Sequence, residues 1–244
     1  MTPRPQPRGF FITGTDTEVG KSLVAGAVIH RLQHDGLKVA GFKPVVAGTS
    51  VNAAGEKIND DLETLRLTSQ AHLSAQEICP YILDDAAAPH LVAQDLGIEL
   101  DLNVMVRHHQ ALAAQFDAVV VEGAGGFLVP INAHQHLGDF AQRLNLPVIM
   151  VVGMRLGCIN HALMTELCIA SKGLTLHGWV ANCIEPGMKR LEGNIQTLQS
   201  RLQAPLLGTI PHLLDQHLNT HQHGLGAYTQ VGIAFAAAQL HSLL

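Results

Sequence analysis

The sequence predicts an α/β protein with a mostly parallel central sheet flanked by helices. Short aliphatic runs, among them GFFITG (9–14), DAVVVEG (117–123) and LPVIMVVG (146–153), alternate along the chain with amphipathic segments of helical length. This alternation is typical of βαβ units with right-handed crossovers, which place their strands in one parallel sheet. The composition supports the same class, because 47% of the residues are hydrophobic and only 4% are aromatic.

The remaining elements follow from the same alternation. Strands are predicted at 38–42, 176–184 and 205–210, and helices at 21–34, 102–115, 156–171, about 188–202 and 228–243. Another helix is predicted to end near residue 70, after a polar loop at 45–60, and residues 78–100 are expected to be irregular because of Pro80 and Pro89. Single hydrophobic cores reach about 250 residues before chains divide. We therefore expect one domain over residues 1–244, with residues 1–8 flexible.

Charge and hydropathy argue against two classes of partner. The net charge is −5 and Lys and Arg form no cluster, so nucleic-acid binding is disfavoured. No stretch reaches the roughly 18 uninterrupted apolar residues of a membrane span, and MTPRPQPRGF at the N-terminus lacks the apolar core of a signal peptide. The four cysteines form no C-x-x-C pair and are interpreted as reduced thiols, so a cytoplasmic location is expected.

The segment GTDTEVGKS (14–22) lies between a predicted strand and a predicted helix and has the features of a phosphate-binding loop. Gly20 would permit close approach of the backbone, and the N–H groups at the helix start would bind phosphate oxygens. Lys21 is predicted to reach the β- and γ-phosphates, and Ser22 to bind Mg²⁺. The spacing is one residue longer than the Walker A template, and an ordinary strand–helix turn is the alternative interpretation.

Two carboxylates in this loop, Asp16 and Glu18, are unexpected, because like charges repel at short range and the loop should bind an anion. A cation beside them would remove this conflict. We therefore predict a substrate with amine groups next to the γ-phosphate, or a second metal ion. The alternatives are that Asp16 caps the loop and that Glu18 faces water.

Polar residues remote in sequence are predicted to meet at the sheet edge that carries this loop. Lys43, Glu122, Asn182 and Pro211 each fall where a predicted strand ends, and ligands of parallel sheets bind outside the carboxyl ends of the strands. Lys43 is predicted to end the strand adjacent to the loop and to neutralise charge on a transferring phosphoryl group, although a surface lysine is the alternative. Glu122 is predicted to hold Mg²⁺.

Two helix starts carry further predictions. In the pair Asp60-Asp61, Asp60 is interpreted as an N-cap, whereas Asp61 could supply another carboxylate to Mg²⁺. Free amides at 156–160 could hold a substrate carboxylate. Cys158 is interpreted as a small packing residue rather than a nucleophile.

Five segments together resemble the dethiobiotin synthetase family: GTDTEVGKS, GFKPVVAG, VVVEGAGG, LPVIMVVGMRLGCINHA and GWVAN. The resemblance runs with gaps from about residue 9 to residue 215. It implies a homodimer with a three-layer P-loop NTPase fold that uses ATP with Mg²⁺, CO₂ or bicarbonate, and 7,8-diaminopelargonic acid. It also implies a carbamate, a carbamic–phosphoric anhydride and closure of a cyclic urea, in biotin biosynthesis.

The resemblance also implies roles for individual residues. Catalytic roles are implied for Lys43, Lys21 and Thr17, and magnesium ligation for Ser22, Asp61 and Glu122. Nucleotide contacts are implied for Glu18, Val19, Gly20, Lys21, Ser22, Leu23, Asp61, Glu122, Gly123, Ala124, Gly125, Asn182, Cys183, Pro211, His212 and Leu213. Substrate contacts are implied for Thr17, Lys43, Cys158, Ile159 and Asn160, the last three from the neighbouring subunit.

The chain departs from the family pattern at two positions. Ala47 stands where the family often has a substrate-contacting serine, so Thr49 is the hypothesised replacement. Asn194 stands where some members have a tyrosine. Partitioning and metal-cluster ATPases are disfavoured, because they carry a lysine at the position of Asp16, and a non-catalytic nucleotide-binding module is disfavoured by the two lysines and Glu122.

Overall fold

Strands and helices alternate along most of the chain in a computed structural model that describes residues 9–51, 55, 57–213, 228 and 230–241. In chain order the strands are β1 (Gly9–Gly14), β2 (Val39–Phe42), β3 (Val45–Ala47), β4 (Ser50–Val51), β5 (Lys57–Ile58), β6 (Tyr81–Leu83), β7 (Ala118–Gly126), β8 (Val148–Gly153), β9 (Leu176–Asn182) and β10 (Leu206–Ile210). The helices are α1 (Lys21–His34), α2 (Asp60–Thr68), α3 (Ala75–Ile78), α4 (Pro89–Asp95), α5 (Leu102–Ala113), α6 (Leu137–Leu144), α7 (Cys158–Ser171), α8 (Leu191–Arg201) and α9 (Gln230–Ala238). The predictions for residues 1–8 and for helix at 242–243 lie outside the described residues.

The central sheet, within the described residues, has six strands in the spatial order β10-β9-β8-β1-β7-β2. These strands pair in parallel throughout. Most residues of the aliphatic runs that predict them are buried, which is the environment that branched apolar side chains of a parallel sheet favour. The predicted α/β class is therefore confirmed, and β7 extends to Gly126 rather than ending at residue 123.

Helices cover both faces of this sheet, as two neighbouring residues of β2 show. A Cβ atom at Gly41 would lie 2.7 Å from Leu65 of α2. Phe42 faces the opposite way, because successive strand residues alternate, and its ring lies 5.9 Å from that of His109 of α5 and 6.2 Å from that of Phe140 of α6. Among the helices in the described ranges, none combines the length and the apolar character that crossing a membrane requires.

The prediction is wrong for two segments. Residues 45–60, expected to form a polar loop, contain β3, β4 and β5, and residues 78–100, expected to be irregular, contain β6 and α4. β3 pairs in parallel with β6, and β4 pairs antiparallel with β5. Strands of two or three residues are too short to show a periodicity, so these pairings depend on contacts that the local sequence does not reveal. Pro89 occupies the first turn of α4, where its missing N–H group leaves no bond unmade.

Two more features differ from expectation. β7 lies between β1 and β2, so the strand that Lys43 follows is not adjacent to the strand that precedes the phosphate loop. The helix α6 has no counterpart in the prediction, because its 8 residues are fewer than a periodicity needs. The parallel strands nevertheless share one carboxyl edge, and the candidate site lies there.

Candidate active site

The phosphate loop connects β1 to α1, and its glycine at position 20 is required by both conformation and space. Gly20 has φ 91° and precedes the first residue of α1, and this left-handed conformation favours glycine. A Cβ atom at this position would lie 2.1 Å from Nδ2 of Asn182, the last residue of β9. The same Nδ2 donates a hydrogen bond to the carbonyl of Val19 at 2.9 Å. The loop is therefore held against the carboxyl end of β9.

Four side chains from separate parts of the chain converge beside the start of α1. Lys43 Nζ lies 2.6 Å from Asp61 Oδ2 and 2.7 Å from Glu122 Oε1, and it donates to the carbonyl of Gly123 at 3.2 Å. The Ser22 hydroxyl lies 2.5 Å from Asp61 Oδ1 and 2.9 Å from Glu122 Oε1. The sequence predicts Ser22, Asp61 and Glu122 as magnesium ligands and Lys43 at the same sheet edge. The structure links the four, because each carboxylate bonds to both Lys43 and Ser22.

Burial and charge act on this cluster in opposite directions. Lys43 is 1% exposed and Glu122 is fully buried, and removal from water disfavours the charged form of each group. Burial would lower the pKa of Lys43, but the charges of Asp61 and Glu122 outweigh it and raise that pKa above its usual value. Two carboxylates share the Lys43 ammonium, and burial raises the pKa of the more buried one, Glu122, to about 7. Burial also acts to raise the pKa of Asp61, but the charge and hydrogen bond of Lys43 lower it.

The oxygen atoms of this cluster fit Mg²⁺. Glu122 Oε2 is buried and has no hydrogen-bond partner among the described residues, so it is free to accept a further partner, such as a cation or a water molecule. The Asp61 side chain remains 38% exposed and faces the accessible side of the cluster. Carboxylate and hydroxyl oxygens are the ligands that Mg²⁺ prefers. Ser22, Asp61 and Glu122 could therefore hold this ion.

The position of Asp61 is set by the N-cap of α2. Asn59 Oδ1 accepts the N–H groups of Asp61 at 3.0 Å and of Leu62 at 3.2 Å, and Asn59 Nδ2 donates to the carbonyl of Gly48 at 2.7 Å. The prediction that Asp60 caps this helix is therefore wrong by one residue, because an N-cap side chain must lie outside the first helical turn to reach its N–H groups. Asp60 is instead the first helical residue and is exposed.

The two carboxylates of the phosphate loop have different surroundings. Asp16 forms an ion pair with the guanidinium of Arg155, and its Oδ1 accepts the N–H of Thr17 at 2.8 Å. Glu18 is exposed and has φ 58°, so the water-facing alternative describes its position. The cation beside Asp16 in this chain is thus a protein side chain, whereas the sequence predicts an amine or a metal ion. Sequence reasoning missed Arg155, since nothing local connects it with a loop 139 residues away.

Lys21 completes the loop. It is buried, and its Nζ donates to the backbone carbonyl of Asp16 at 3.0 Å. Burial and then the charge of Lys43 lower the pKa of Lys21 to about 8. Leu23, another predicted nucleotide contact, is 1% exposed, so its side chain is buried and only its backbone could contact a ligand.

The glycine-rich end of β7 faces the same loop. The predicted contacts Gly123, Ala124 and Gly125 follow Glu122 within this strand. A Cβ atom at Gly125 would lie 3.5 Å from Thr17 Oγ1, so the Thr17 side chain lies across from β7. Lys43 reaches the same segment through the Gly123 carbonyl. The structure therefore places Thr17 and Lys43 along one short stretch of backbone.

The remaining predicted nucleotide contacts, Asn182, Cys183, Pro211, His212 and Leu213, lie at the carboxyl ends of β9 and β10. The Cys183 N–H donates to the carbonyl of Ile210 at 2.9 Å, and His212 Nδ1 lies 3.2 Å from the carbonyl of Cys183. Sequence reasoning missed Tyr228, whose hydroxyl lies 3.9 Å from a Cβ atom built on Gly20. Burial, followed by the charges of Glu122 and Asp61, raises the pKa of Tyr228 to about 12.

The predicted substrate contacts outside the loop are arranged as follows. Cys158 is 2% exposed at the start of α7, and burial raises the pKa of its thiol, as suits a packing residue. Ile159 is half-buried, and Asn160 is exposed and contacts Met164 of the same helix. The Thr49 hydroxyl donates to Asp84 at 2.9 Å. The described chain joins none of these residues to the Lys43 cluster by a hydrogen bond or an ion pair.

Comparison with known proteins gives consistent results. A family model described as an AAA domain matches residues 8–218. The chain is 47% identical over 208 residues to the ATP-dependent dethiobiotin synthetase BioD of Aromatoleum aromaticum, covering 85% of this chain and 92% of the relative. It is 44% identical over 227 residues to the protein of the same name from Pseudomonas paraeruginosa, covering 89% of this chain and 98% of the relative.

Solved structures support the fold. A ParA family ATPase from Chlorobium tepidum superposes with a TM-score of 0.57 at 13% identity, covering 96% of this chain and all of the other. The MinD cell division protein of Aquifex aeolicus gives a TM-score of 0.55 at 15% identity, covering 97% of this chain and 98% of the other. At these identities the likeness concerns the fold alone, and it confirms the expected P-loop NTPase fold.

Proposed function

We propose that this chain, which belongs to the ATP-dependent dethiobiotin synthetase family, forms the cyclic urea of dethiobiotin from 7,8-diaminopelargonic acid, CO₂ and ATP. The enzyme is an ATP-dependent ligase that forms carbon–nitrogen bonds in biotin biosynthesis. The observation that carries the proposal is that Asp61 and Glu122 each bond both to Lys43 and to Ser22 of the phosphate loop.

The reaction proceeds in three steps. An amine of the substrate adds to CO₂, which is in equilibrium with bicarbonate, and loses a proton to give a carbamate. A carbamate oxygen attacks the γ-phosphorus of ATP, the bond to the β–γ bridging oxygen breaks, and ADP leaves. The second amine then attacks the carbonyl carbon of the carbamic–phosphoric anhydride, loses a proton and displaces phosphate as the ring closes.

Lys43, Lys21 and Thr17 are the proposed catalytic residues. The phosphoryl group carries spread charge as it transfers, and fixed positive charge beside it lowers the barrier. The Lys43 ammonium is already removed from water, so contact with a phosphoryl or carbamate oxygen costs little further desolvation. Lys21 lies at the start of α1, and Thr17 lies across from Gly125, where its hydroxyl could bind the carbamate.

Mg²⁺ is the proposed cofactor, held by Ser22, Asp61 and Glu122. The ion would neutralise charge on the β- and γ-phosphates. Two observations support this assignment: Glu122 Oε2 has no hydrogen-bond partner in the described part of the chain, and three oxygen-bearing side chains converge there. The backbone of 18–23 would bind the phosphates, and Asn182, Cys183 and residues 211–213 would bind the adenine.

A homodimer is the proposed assembly. Met164 and Leu167 lie on α7, Leu156 lies just before it, and Leu128 lines a shallow cavity together with Met164. These four apolar residues, Leu128, Leu156, Met164 and Leu167, are 44%, 94%, 49% and 70% exposed. Exposed apolar residues grouped in this way mark interaction surfaces. A second copy on this surface would bring Cys158, Ile159 and Asn160 to the substrate carboxylate of its neighbour.

We place the enzyme in the cytoplasm, where its four free cysteines would stay reduced.

Release of ADP in the presence and absence of each substrate tests this function. With Mg²⁺ and ATP, we expect rapid ADP release only when both the diamine and bicarbonate are added. Formation of dethiobiotin should match ADP release one to one. An equal rate of ADP release without the diamine would contradict the proposal and would favour a plain ATPase.

A further inference from the structure

Arg155 joins the two loops on which the proposed reaction depends. It lies between β8 and α7, three residues before Cys158 at the helix start. Its guanidinium forms the ion pair with Asp16 of the phosphate loop, while its backbone carbonyl accepts the N–H of Cys158 at 3.1 Å. One residue therefore contacts the ATP-binding segment through its side chain and the start of α7 through its backbone.

The partner of Arg155 is central to the conformation of the phosphate loop. Asp16 accepts the Thr17 N–H through its side chain and the Lys21 ammonium through its backbone carbonyl. The two loops are also packed together, because the Thr15 N–H donates to the carbonyl of Val151 in β8 at 3.0 Å. Movement of Asp16 would thus displace both Thr17 and Lys21.

The ion pair between Arg155 and Asp16 affects ligand binding more than it affects folding. The side chains of Arg155 and Asp16 remain 40% and 44% exposed, and ion pairs this exposed contribute little to folding. A bare carboxylate in a loop that binds polyphosphate would, however, repel its ligand. The guanidinium cancels that charge where the phosphates bind.

We propose that Arg155 is a positioning residue for ATP, which neutralises Asp16 and through it holds Thr17 and Lys21 in the conformation that accepts the phosphates. The inference rests on the proposed use of ATP and deepens it. It concerns binding of the nucleotide, so it can be tested with MgADP alone, without the diamine.

Charge-neutralising variants of both partners test the proposal. Arg155→Gln should raise the KM for MgATP and the Kd for MgADP about tenfold, because an uncompensated carboxylate remains beside the phosphates. The melting temperature should change little, because both side chains of the ion pair are partly exposed. Adding Asp16→Asn to Arg155→Gln should restore both constants, Arg155→Lys should retain most of the affinity, and added salt should reduce the defect of Arg155→Gln.

The matched control is Arg201→Gln. Arg201 is an exposed arginine at the end of α8, which leads into the amino end of β10, the sheet edge opposite the phosphate loop. This variant should leave both constants unchanged. Three results would overturn the inference: unchanged MgADP affinity in Arg155→Gln, a double variant no better than Arg155→Gln, or an increase confined to the KM for the diamine. The last result would indicate that Arg155 contributes to binding of the diamine and not of the nucleotide. Failure of the proposed function would instead appear in the wild type, as ADP release that does not need the diamine.

Discussion

Lys43 and Lys57 show at the residue scale how burial decides what an ion pair does. Lys57 lies 2.7 Å from Asp84, and Lys43 lies 2.7 Å from Glu122. The side chains of the first pair are 62% and 54% exposed, whereas those of the second are 2% and 0% exposed. Exposed pairs contribute roughly 0–1 kcal/mol, but removing one partner of a buried pair costs about 3–5 kcal/mol. The buried pair is therefore the one suited to fixing a charge for chemistry.

Replacing Lys43 tests its catalytic role. Lys43→Ala should reduce turnover by on the order of 10² or more, because the fixed charge beside the phosphoryl group is lost. Binding of ATP should stay largely intact, because the phosphate loop itself is unchanged. Turnover and calorimetric binding should be compared with Lys172→Ala, which removes a lysine paired with Asp139 at 2.7 Å away from the cluster. Loss of binding with normal turnover would assign Lys43 a different role.

At the element scale, the start of α2 links helix capping to the site. Asn59 caps the helix, and the second helical residue, Asp61, carries the carboxylate that contacts both Lys43 and Ser22. The cap bonds the N–H of Asp61 itself. The geometry of the helix end therefore determines where the carboxylate lies.

Removing this cap should affect stability and ligand binding together. Asn59→Ala should lower the free energy of unfolding by about 1 kcal/mol and weaken MgADP binding, because Asp61 is no longer fixed. The control is Asp101→Ala, which removes the N-cap of α5, where Asp101 accepts the N–H of Asn103 at 2.7 Å. It should cost similar stability, measured by urea unfolding, and leave MgADP affinity unchanged. Equal loss of affinity in both variants would indicate a general effect of destabilisation.

For the whole molecule, packing of the helices on the sheet buries a titratable group away from the site. His109 of α5 is 8% exposed, contacts the Phe42 ring, and has no hydrogen-bond partner for Nε2 in the described part of the chain. Burial lowers the pKa of His109 from 6.5 to about 4. The folded protein therefore favours the neutral imidazole.

This burial predicts a pH dependence of stability. Between pH 6.5 and about 4 the unfolded chain binds more protons at His109 than the folded chain does. The free energy of unfolding therefore falls by up to about 3 kcal/mol as the pH drops through this window, and the contribution of the neutral His109 is fully present above pH 6.5. The raised pKa of Glu122 acts in the opposite direction, so the wild type must be compared with His109→Leu.

Urea unfolding at pH 7 and pH 4.5 provides the measurement. The loss of stability on acidification should be smaller in His109→Leu than in the wild type. The exposed His34, whose side chain is 79% accessible, provides the control, and His34→Leu should retain the wild-type dependence. Identical pH dependence in His109→Leu and the wild type would contradict the argument.

Assembly is also a property of the whole molecule. If the α7 surface joins two copies, Leu167→Glu should give a monomer, because a charge would be buried in an apolar interface. Such a monomer should bind MgADP normally and lose most turnover, since the proposed substrate contacts come from the neighbouring copy. Sedimentation and light scattering should be compared with Val231→Glu, an equally apolar and 64% exposed position on α9. A Leu167→Glu protein with the wild-type mass would argue against this interface.

The sequence by itself determined the local features of this protein. The aliphatic runs predict the six strands of the main sheet, because apolar residues of a buried strand are contiguous. The segment 14–22 predicts its loop, because a strand, glycine, lysine and serine occur together within a few residues. The family, the fold and the ATP-dependent reaction follow from five such segments in order.

The sequence predicts that several remote residues share one sheet edge, but only the tertiary structure decided which of them are in direct contact. The insertion of β7 between β1 and β2 places Glu122 beside Lys43, and the packing of β8 against β1 brings Arg155 to Asp16. The short β3–β6 pair and Tyr228 beside Gly20 likewise depend on contacts between distant parts of the chain. Local periodicity encodes what a segment becomes, whereas strand order and side-chain packing determine its neighbours, and those depend on the whole chain at once.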